Sequence, residues 1–232
     1  AIPILKNKVT KINGKDAGTQ IDTFRALEKV QIEGIVTNQS EVLQSSFNGK
    51  LYITVYDKEI NLRTKANDPG SFSSSYPLQK NIIYKGLVEV RQGKWEFDFI
   101  IPKDINYDFG QGKISLYATD DTKLDAAGFE QSFIIGGVSK DSLLDNKPPV
   151  VHVFINDASF RSGGICDANP KLYAEVSDDT GINISGNSIG HDLIAILDGN
   201  TQSPIVLNQS YQSKFNNQKE GVVNYPLKNL KP

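Results

Sequence analysis

The feature that most constrains the fold is a run of alternating apolar and polar side chains at residues 78–121. Within this run, Trp95 and Phe97 fall on one face of an extended chain, and Glu96 and Asp98 fall on the other. A spacing of two is the period of a half-buried β-strand. The pattern therefore predicts strands that bury one face in a hydrophobic core.

Similar strand signals recur through the first part of the chain, and turn residues such as Asn13-Gly14 and Gln92-Gly93 separate them. Strands are predicted at residues 4–11, 29–36, 51–56, 60–64, 82–90, 95–101, 113–119 and 129–135. A short helical turn is predicted at residues 21–27. A succession of short strands without a long helix is typical of an immunoglobulin-like β-sandwich. Its core is predicted to contain Val30, Ile32, Leu51, Ile53, Trp95, Phe97, Phe99, Leu116 and Phe133.

A second β unit is predicted after a linker at residues 139–149. The linker has few apolar residues and contains Pro148-Pro149, which favours an extended connector. Strand signals resume at residues 150–155, 171–176, 192–197, 205–207 and 221–225. We therefore predict an all-β chain with two tandem immunoglobulin-like β-sandwich domains, residues 1–138 and 150–232. The second has too few strands for a complete sandwich, so we expect it to be incomplete at its C-terminus, with an exposed backbone edge.

Charge and composition argue against two classes of partner. The 232 residues include 25 Lys and Arg and 27 Asp and Glu, so no basic surplus exists to neutralise a nucleic-acid backbone. No apolar run approaches the roughly 20 residues of a membrane helix, so direct membrane insertion is not expected. The start at Ala1 and the absence of Met indicate a piece cut from a longer chain.

The residues that carry nucleophilic chemistry do not form a recognisable catalytic motif. Cys166, His191 and Asp192 could be combined as nucleophile, base and orienting acid. However, Cys166 lies in a turn-rich segment without a nucleophile signature, and His152, the other histidine, lies in a predicted strand. A glycine-rich phosphate loop, a CxxC pair and an HExxH motif are all absent from the sequence. We therefore predict no catalytic residue, no cofactor and no enzymatic activity for this chain.

Asp178 and Asp179 are the candidate metal ligands. Adjacent carboxylates in a loop can bind Ca²⁺, although the spacing here does not match the EF-hand loop. Aspartate is also a usual turn-forming residue. Both interpretations stay open at this point.

Several stretches of the chain resemble one family of proteins. They read LQKNIIYKG at residues 78–86, FIIPKDI at 99–105 and FGQGKISLYA at 109–118. These stretches are similar to the region that follows the catalytic domain in the PorU family. Its members are gingipain-like cysteine peptidases that act as C-terminal signal peptidase, or sortase, of the Bacteroidetes type IX secretion system. The resemblance continues through residues 127–137, 154–164 and 181–192, and so covers most of the chain.

The resemblance implies a secreted protein at the cell surface, associated with the outer membrane and held there by an outer-membrane secretion-system protein. The parent would remove C-terminal targeting domains from cargo and attach the cargo to lipopolysaccharide. Its Cys–His pair would lie upstream of Ala1. This chain would then be a non-catalytic β-sandwich region that supports the peptidase domain or docks secretion partners.

Two further interpretations stay open beside this one, an adhesin-like module and an autonomous hydrolase. The chain could be a glycan- or protein-binding, adhesin-like module, with Phe72, Tyr76 and Tyr107 as an exposed aromatic platform. In addition, Ser142 follows Asp141 and precedes Leu143, a pattern that Bacteroidetes O-glycosylate on exported proteins. Ser142 is therefore the candidate modification site.

Overall fold

The structure of the chain is a computed structural model, and it describes residues 5–140, 147–185 and 192–230. The described residues form strands joined by turns and loops, with one short 3₁₀ helix at Asn208–Ser210. The all-β prediction is confirmed. Among the described residues, no helix has the length and apolar character needed to cross a bilayer.

The first half of the chain builds one large sheet and two small ones. Its strands are β1 (Leu5–Ile12), β2 (Lys15–Asp16), β3 (Asp22–Ala26), β4 (Lys29–Thr37), β5 (Gly49–Tyr56), β6 (Ile60–Arg63), β7 (Ser75–Leu78), β8 (Ile82–Val90), β9 (Lys94–Ile100), β10 (Gly110–Gln111), β11 (Lys113–Thr119), β12 (Asp125–Glu130) and β13 (Phe133–Val138). The large sheet has the order β8-β5-β11-β12-β1-β4-β9, with β2 paired to β1. The small sheets have the order β10-β13-β3 and β6-β7. Because the edge strands β8 and β9 are consecutive and share a tight turn, the large sheet nearly closes on itself.

The inward side chains of the large sheet form the first core. Strand β9 shows the expected alternation, with Trp95, Phe97 and Phe99 buried and Glu96 exposed. The predicted strands at residues 29–36, 51–56, 82–90, 95–101 and 113–119 are confirmed as β4, β5, β8, β9 and β11. All the side chains predicted for this core are buried.

Two local predictions for the first half are wrong. Residues 21–27 contain strand β3 and not a helical turn, because Phe24 and Ala26 are buried at a spacing of two while β3 pairs in parallel with β13. The predicted strand at residues 129–135 is two strands, β12 and β13. The chain breaks between them because the Glu130 carboxylate accepts hydrogen bonds from the N–H groups of Gln131 and Ser132.

The second half builds a smaller sheet. Its strands are β14 (Val150–Ile155), β15 (Lys171–Ser177), β16 (Ile194–Ala195), β17 (Ile205–Val206), β18 (Tyr211–Lys214) and β19 (Asn217–Pro226). Four of them form a sheet in the order β14-β15-β19-β18, and β16 pairs with β17. The second core contains Leu172, Ala174, Val176, Ile184, Leu207, Tyr211, Val223 and Leu227.

Strand β14 leaves an apolar edge exposed. The pairing register places Val151 beside Val176 and Val153 beside Ala174, on the face that carries the second core. Nevertheless Val151 is 49% exposed and Val153 is 62% exposed. The core face of this sheet is therefore uncovered where β14 forms its edge.

Candidate functional site: the seam cleft

The candidate site lies at the seam of the large sheet, where β8 and β9 diverge from their shared turn. In the part of the chain that the structure describes, β8 and β9 are joined by one antiparallel β-bridge, between Arg91 and Lys94 at their shared turn. Beyond that bridge the two strands separate and a cleft of about 980 Å³ opens. We call this space the seam cleft. It is bounded by β4, β8 and β9 and by the turn between β18 and β19.

The turn between β18 and β19 takes the place that a further strand would occupy beside β8. The Leu87 N–H donates to Ser213 Oγ at 3.1 Å, and the Glu89 N–H donates to Asn216 Oδ1 at 2.9 Å. The Asn216 N–H in turn donates to the Leu87 carbonyl at 2.9 Å. An open strand edge is a template for unwanted pairing, and here the second half of the chain occupies it.

Tyr84 lies at the centre of this contact. Its ring stacks on Phe99 with 4.6 Å between centroids and on Phe97 with 5.7 Å, and its hydroxyl is hydrogen-bonded to Ser213. The absence of a side chain at Gly86 makes room for the ring, because a Cβ there would lie 2.3 Å from the Tyr84 hydroxyl oxygen. Burial raises the pKa of Tyr84 above its ordinary value of 10.0, so the hydroxyl is neutral at physiological pH.

Further polar contacts join the two halves away from Tyr84. The Gln218 amide donates to Asp98 Oδ2 at 2.6 Å, and the Asn183 amide donates to Asp104 Oδ2 at 2.7 Å. The Lys85 ammonium donates to the carbonyl of Gln209 at 2.9 Å. Contacts at several separate points restrain both the position and the orientation of one sheet on the other.

The floor of the seam cleft is aromatic. The Trp95 indole covers Gly34, where a Cβ would lie 2.1 Å from Trp95 Cζ2. Trp95 is 4% exposed, and its indole Nε1 has no hydrogen-bond partner among the described residues. A buried N–H without a partner costs stability, so this donor is an unusual feature of the floor.

The candidate catalytic residues are not brought together. Cys166 is exposed, and Asp192 is exposed on a separate segment. His191 lies outside the described residues. The structure thus provides no described contact on which a nucleophile–base pair could be built.

The candidate metal ligands each have a protein partner. Asp178 Oδ1 accepts hydrogen bonds from the N–H and the hydroxyl of Thr180, both at 2.8 Å. Asp179 pairs with Lys147 at 2.8 Å, and the hydrogen bond from this ammonium lowers the pKa of the carboxyl. No group of three or more His, Cys, Asp or Glu residues gathers anywhere in the described ranges. These contacts favour the turn interpretation of the two aspartates.

The remaining candidate residues are distributed over different parts of the surface. Phe72 and Tyr76 are exposed on and near the β6–β7 hairpin, and Tyr107 is exposed on the loop after β9. Ser142 lies outside the described residues.

Sequence reasoning missed Ser213, Asn216 and Gln218, which make the contact between the halves. They lie in and beside the β18–β19 hairpin, and β18 was not predicted. The sequence does contain an indication of this hairpin, because Asn216-Asn217 is a pair of turn-forming residues between two short extended segments. Asn216 has a φ of 53°, a left-handed conformation in which asparagine is enriched.

The burial of Tyr84 leads us to predict that the stability of the fold depends on pH in the alkaline range. Because the folded-state pKa of Tyr84 is raised, its contribution to stability is complete below pH 10 and is lost as the pH rises through the folded-state pKa. We expect the free energy of unfolding to fall above pH 10, at up to about 1.4 kcal/mol per pH unit for each such tyrosine. Urea unfolding of wild type and Tyr84→Phe between pH 8 and pH 11 checks this. Equal alkaline slopes for the two proteins would contradict the assignment, and Tyr76→Phe, on the exposed hairpin, is the control.

Comparison with known proteins shows similarity to a solved structure. No protein-family model matches the chain, and a search of curated proteins found no match. The crystal structure of dimeric latent PorU from Porphyromonas gingivalis matches with 33% identity and a TM-score of 0.58. The match covers 99% of this chain and 22% of that PorU chain. The resemblance found in the sequence is thereby confirmed.

Two other solved structures match at a much lower level. Spo0M, a sporulation control protein from Bacillus subtilis, shows 9% identity and a TM-score of 0.31, over 74% of this chain and 66% of its own. The alpha-2-macroglobulin of E. coli shows 11% identity and a TM-score of 0.31, over 96% of this chain and 12% of its own. At these scores neither supports an argument about fold or function.

Proposed function

We propose that this chain is a non-catalytic β-sandwich region of a surface-exposed type IX secretion sortase. The basis is its similarity to a region of PorU. The parent would be a gingipain-like cysteine peptidase whose catalytic Cys–His pair lies outside this chain. The observation that supports the proposal is 33% identity to PorU sustained over 99% of the chain. The chain would support the peptidase domain or dock secretion partners.

The proposal includes a domain organisation. Residues 1–138 and 150–232 form two tandem immunoglobulin-like β-sandwich domains joined by the linker 139–149, and the second is completed by protein outside this chain. Two separate cores support this division, and the described residues contribute 26 buried side chains to the first and eight to the second. The exposed apolar edge of β14 supports the incompleteness of the second.

A supporting role fits the contact between the halves. The hydrogen bonds from β8 to the β18–β19 turn give the two sheets a fixed relation, which a scaffold needs and a flexible tether does not. Its partners would be the parent's own peptidase domain and an outer-membrane secretion-system protein. The proposed location is the cell surface, in association with the outer membrane, without insertion of this region into the bilayer and without nucleic acid as a partner.

An adhesin-like module is the second candidate function. The observation that favours it is the exposure of Phe72, Tyr76 and Tyr107, since exposed aromatic side chains are typical of binding surfaces. A peptidase domain of the gingipain type in the same polypeptide, upstream of Ala1, would favour the first proposal over this one.

Cleavage assays can test whether the peptidase activity belongs to the parent protein and not to this chain. We expect the isolated chain to leave a type IX cargo C-terminus uncleaved, while the parent protein cleaves it and retains its rate after Cys166→Ala. Mass spectrometry of the cargo after incubation with each protein gives the measurement. Cleavage by the isolated chain that is lost on Cys166→Ala would overturn the proposal. A parent without any cysteine-dependent cleavage would refute the sortase assignment itself.

A further inference from the structure

Among the strands of the described residues, none lies beside one edge of β9. The Val36 N–H donates to the Gly93 carbonyl, and this pair continues the register in which Gly34 lies opposite Trp95 and Ile32 opposite Phe97. In an antiparallel ladder, hydrogen-bonded pairs alternate with pairs whose backbone groups point away from each other. The backbone N–H and C=O groups of Trp95 and Phe97 therefore point toward β4.

The backbone groups of Glu96 and Asp98 consequently point away from β4, toward the seam cleft. The opposite strand confirms this alternation, because Gln31, which lies opposite Asp98, makes its backbone bonds with Asn13 on the far side of β4. The N–H and C=O groups of these two residues therefore have the spacing that hydrogen bonding to a neighbouring β-strand requires. Within the described residues no backbone partner is recorded for them.

The seam cleft has the size and the side chains that an added strand needs. Its volume of about 980 Å³ lies at the upper end of the range for small-ligand sites, and the cleft runs along β9. Three core side chains on its floor keep some exposure, Val88 at 5%, Trp95 at 4% and Phe97 at 6%, whereas Val30 and Ile32 on the neighbouring strand have 0%. The core is therefore thinly covered along the seam.

The rim of the cleft carries charges of both signs, among them Lys94, Glu96 and Lys219. Glu96 is exposed, and among the carboxylates that line the cleft it is the one without an ion pair in the described part of the chain, since Glu33 pairs with Lys11, Glu89 with Arg91 and Asp98 with Lys29. Side chains of an added strand would alternate between the apolar floor and this rim.

We propose that the seam cleft binds an extended peptide segment of another polypeptide as a β-strand added to β9. Main-chain hydrogen bonds to Glu96 and Asp98 supply the pairing, as in other cases of β-strand addition. Alternate apolar side chains of the peptide lie against Val88, Trp95 and Phe97, and a basic side chain meets Glu96. This inference rests on the geometry of the seam and does not depend on the parent being a sortase.

Selection from a random nonapeptide phage library on the complete 232-residue chain tests the proposal. We expect enriched peptides to alternate apolar and polar residues, with a basic residue at the position that meets Glu96. Synthetic copies should shift the ¹⁵N-NMR amide signals of Glu96 and Asp98 and the indole N–H signal of Trp95. Glu96→Lys should weaken binding at least about tenfold, a change of about 1.4 kcal/mol. Glu59→Lys, the same charge change at an exposed site outside the cleft, should leave the affinity unchanged.

Backbone methylation of the peptide separates strand pairing from other modes of binding. Peptides N-methylated at one set of alternate residues should lose binding, because those N–H groups face β9, and peptides methylated at the other set should retain it. Failure to enrich any peptide, shifts confined to residues outside the cleft, or equal binding by both methylated series would each overturn the proposal. The same cleft signals shifting with maltohexaose and not with the selected peptides would assign the site to glycan instead.

Discussion

Trp95→Ala is expected to lower the free energy of unfolding by about 3–5 kcal/mol, the range for removing a large aromatic side chain from a core. Trp95 is 4% exposed, and its ring packs against Phe97 and over Gly34. Gly34 has no side chain that could extend into the vacated space, so we expect a cavity on that side of the ring. Chemical denaturation followed by far-UV circular dichroism gives the measurement, since the variant lacks the chain's one tryptophan.

Two variants control for this result. Trp95→Phe keeps an aromatic ring and removes the partnerless indole N–H, so we expect it to cost less than Trp95→Ala. Phe72→Ala removes an exposed ring, so its effect should stay within about 0.5 kcal/mol. A loss below about 1 kcal/mol for Trp95→Ala would show that Trp95 is not a core residue.

Phe133→Ala is expected to cost a similar amount, about 3–5 kcal/mol. Phe133 and Phe24 are fully buried and stack with 4.4 Å between ring centroids. This stack joins β13 to β3, so the variant should also expose the amides of β3 to hydrogen exchange. The free energy of unfolding and the exchange rates at Asp22–Ala26 give the two measurements.

Phe129→Ala is the matched control for Phe133→Ala. Phe129 lies four residues earlier and is 63% exposed, and Lys113 lies over its ring at 5.8 Å. An exposed cation–π pair contributes about 0.5–1 kcal/mol, so the control should lose no more than that. Equal losses for the two phenylalanines would contradict the burial of Phe133 in the first core.

The elements that the sequence predicted well are those whose burial alternates locally. Strands β4, β5, β9 and β11 bury alternate residues along most of their length, and β8 does so from Gly86 onward, so a window of a few residues contains the signal. In β3 the same alternation is only five residues long. Its partner β13 is remote in sequence, so no local pattern identified it.

The candidate site was less predictable for a different physical reason. The contact between the halves depends on backbone groups of β8 and on the polar side chains of Ser213 and Asn216. Polar turn residues of this kind are common at every loop, and only the three-dimensional arrangement distinguishes the two that seal a strand edge. The seam cleft likewise follows from the divergence of β8 and β9, which no residue pattern in their shared turn indicates.

The contact between β8 and the β18–β19 turn also determines an order of folding. Leu87 and Ser213 are 126 residues apart, so this contact forms only after the intervening chain has been made and its loop closed. Because synthesis proceeds from the N-terminus, the large sheet can assemble before the β18–β19 hairpin that covers its edge has been made. During that interval the edge of β8 is open to any extended chain. A chain terminated between the two halves would therefore keep the edge of β8 uncovered and prone to pair with other chains. In the complete chain, the rate at which the second half is added determines how long that edge can take part in aggregation.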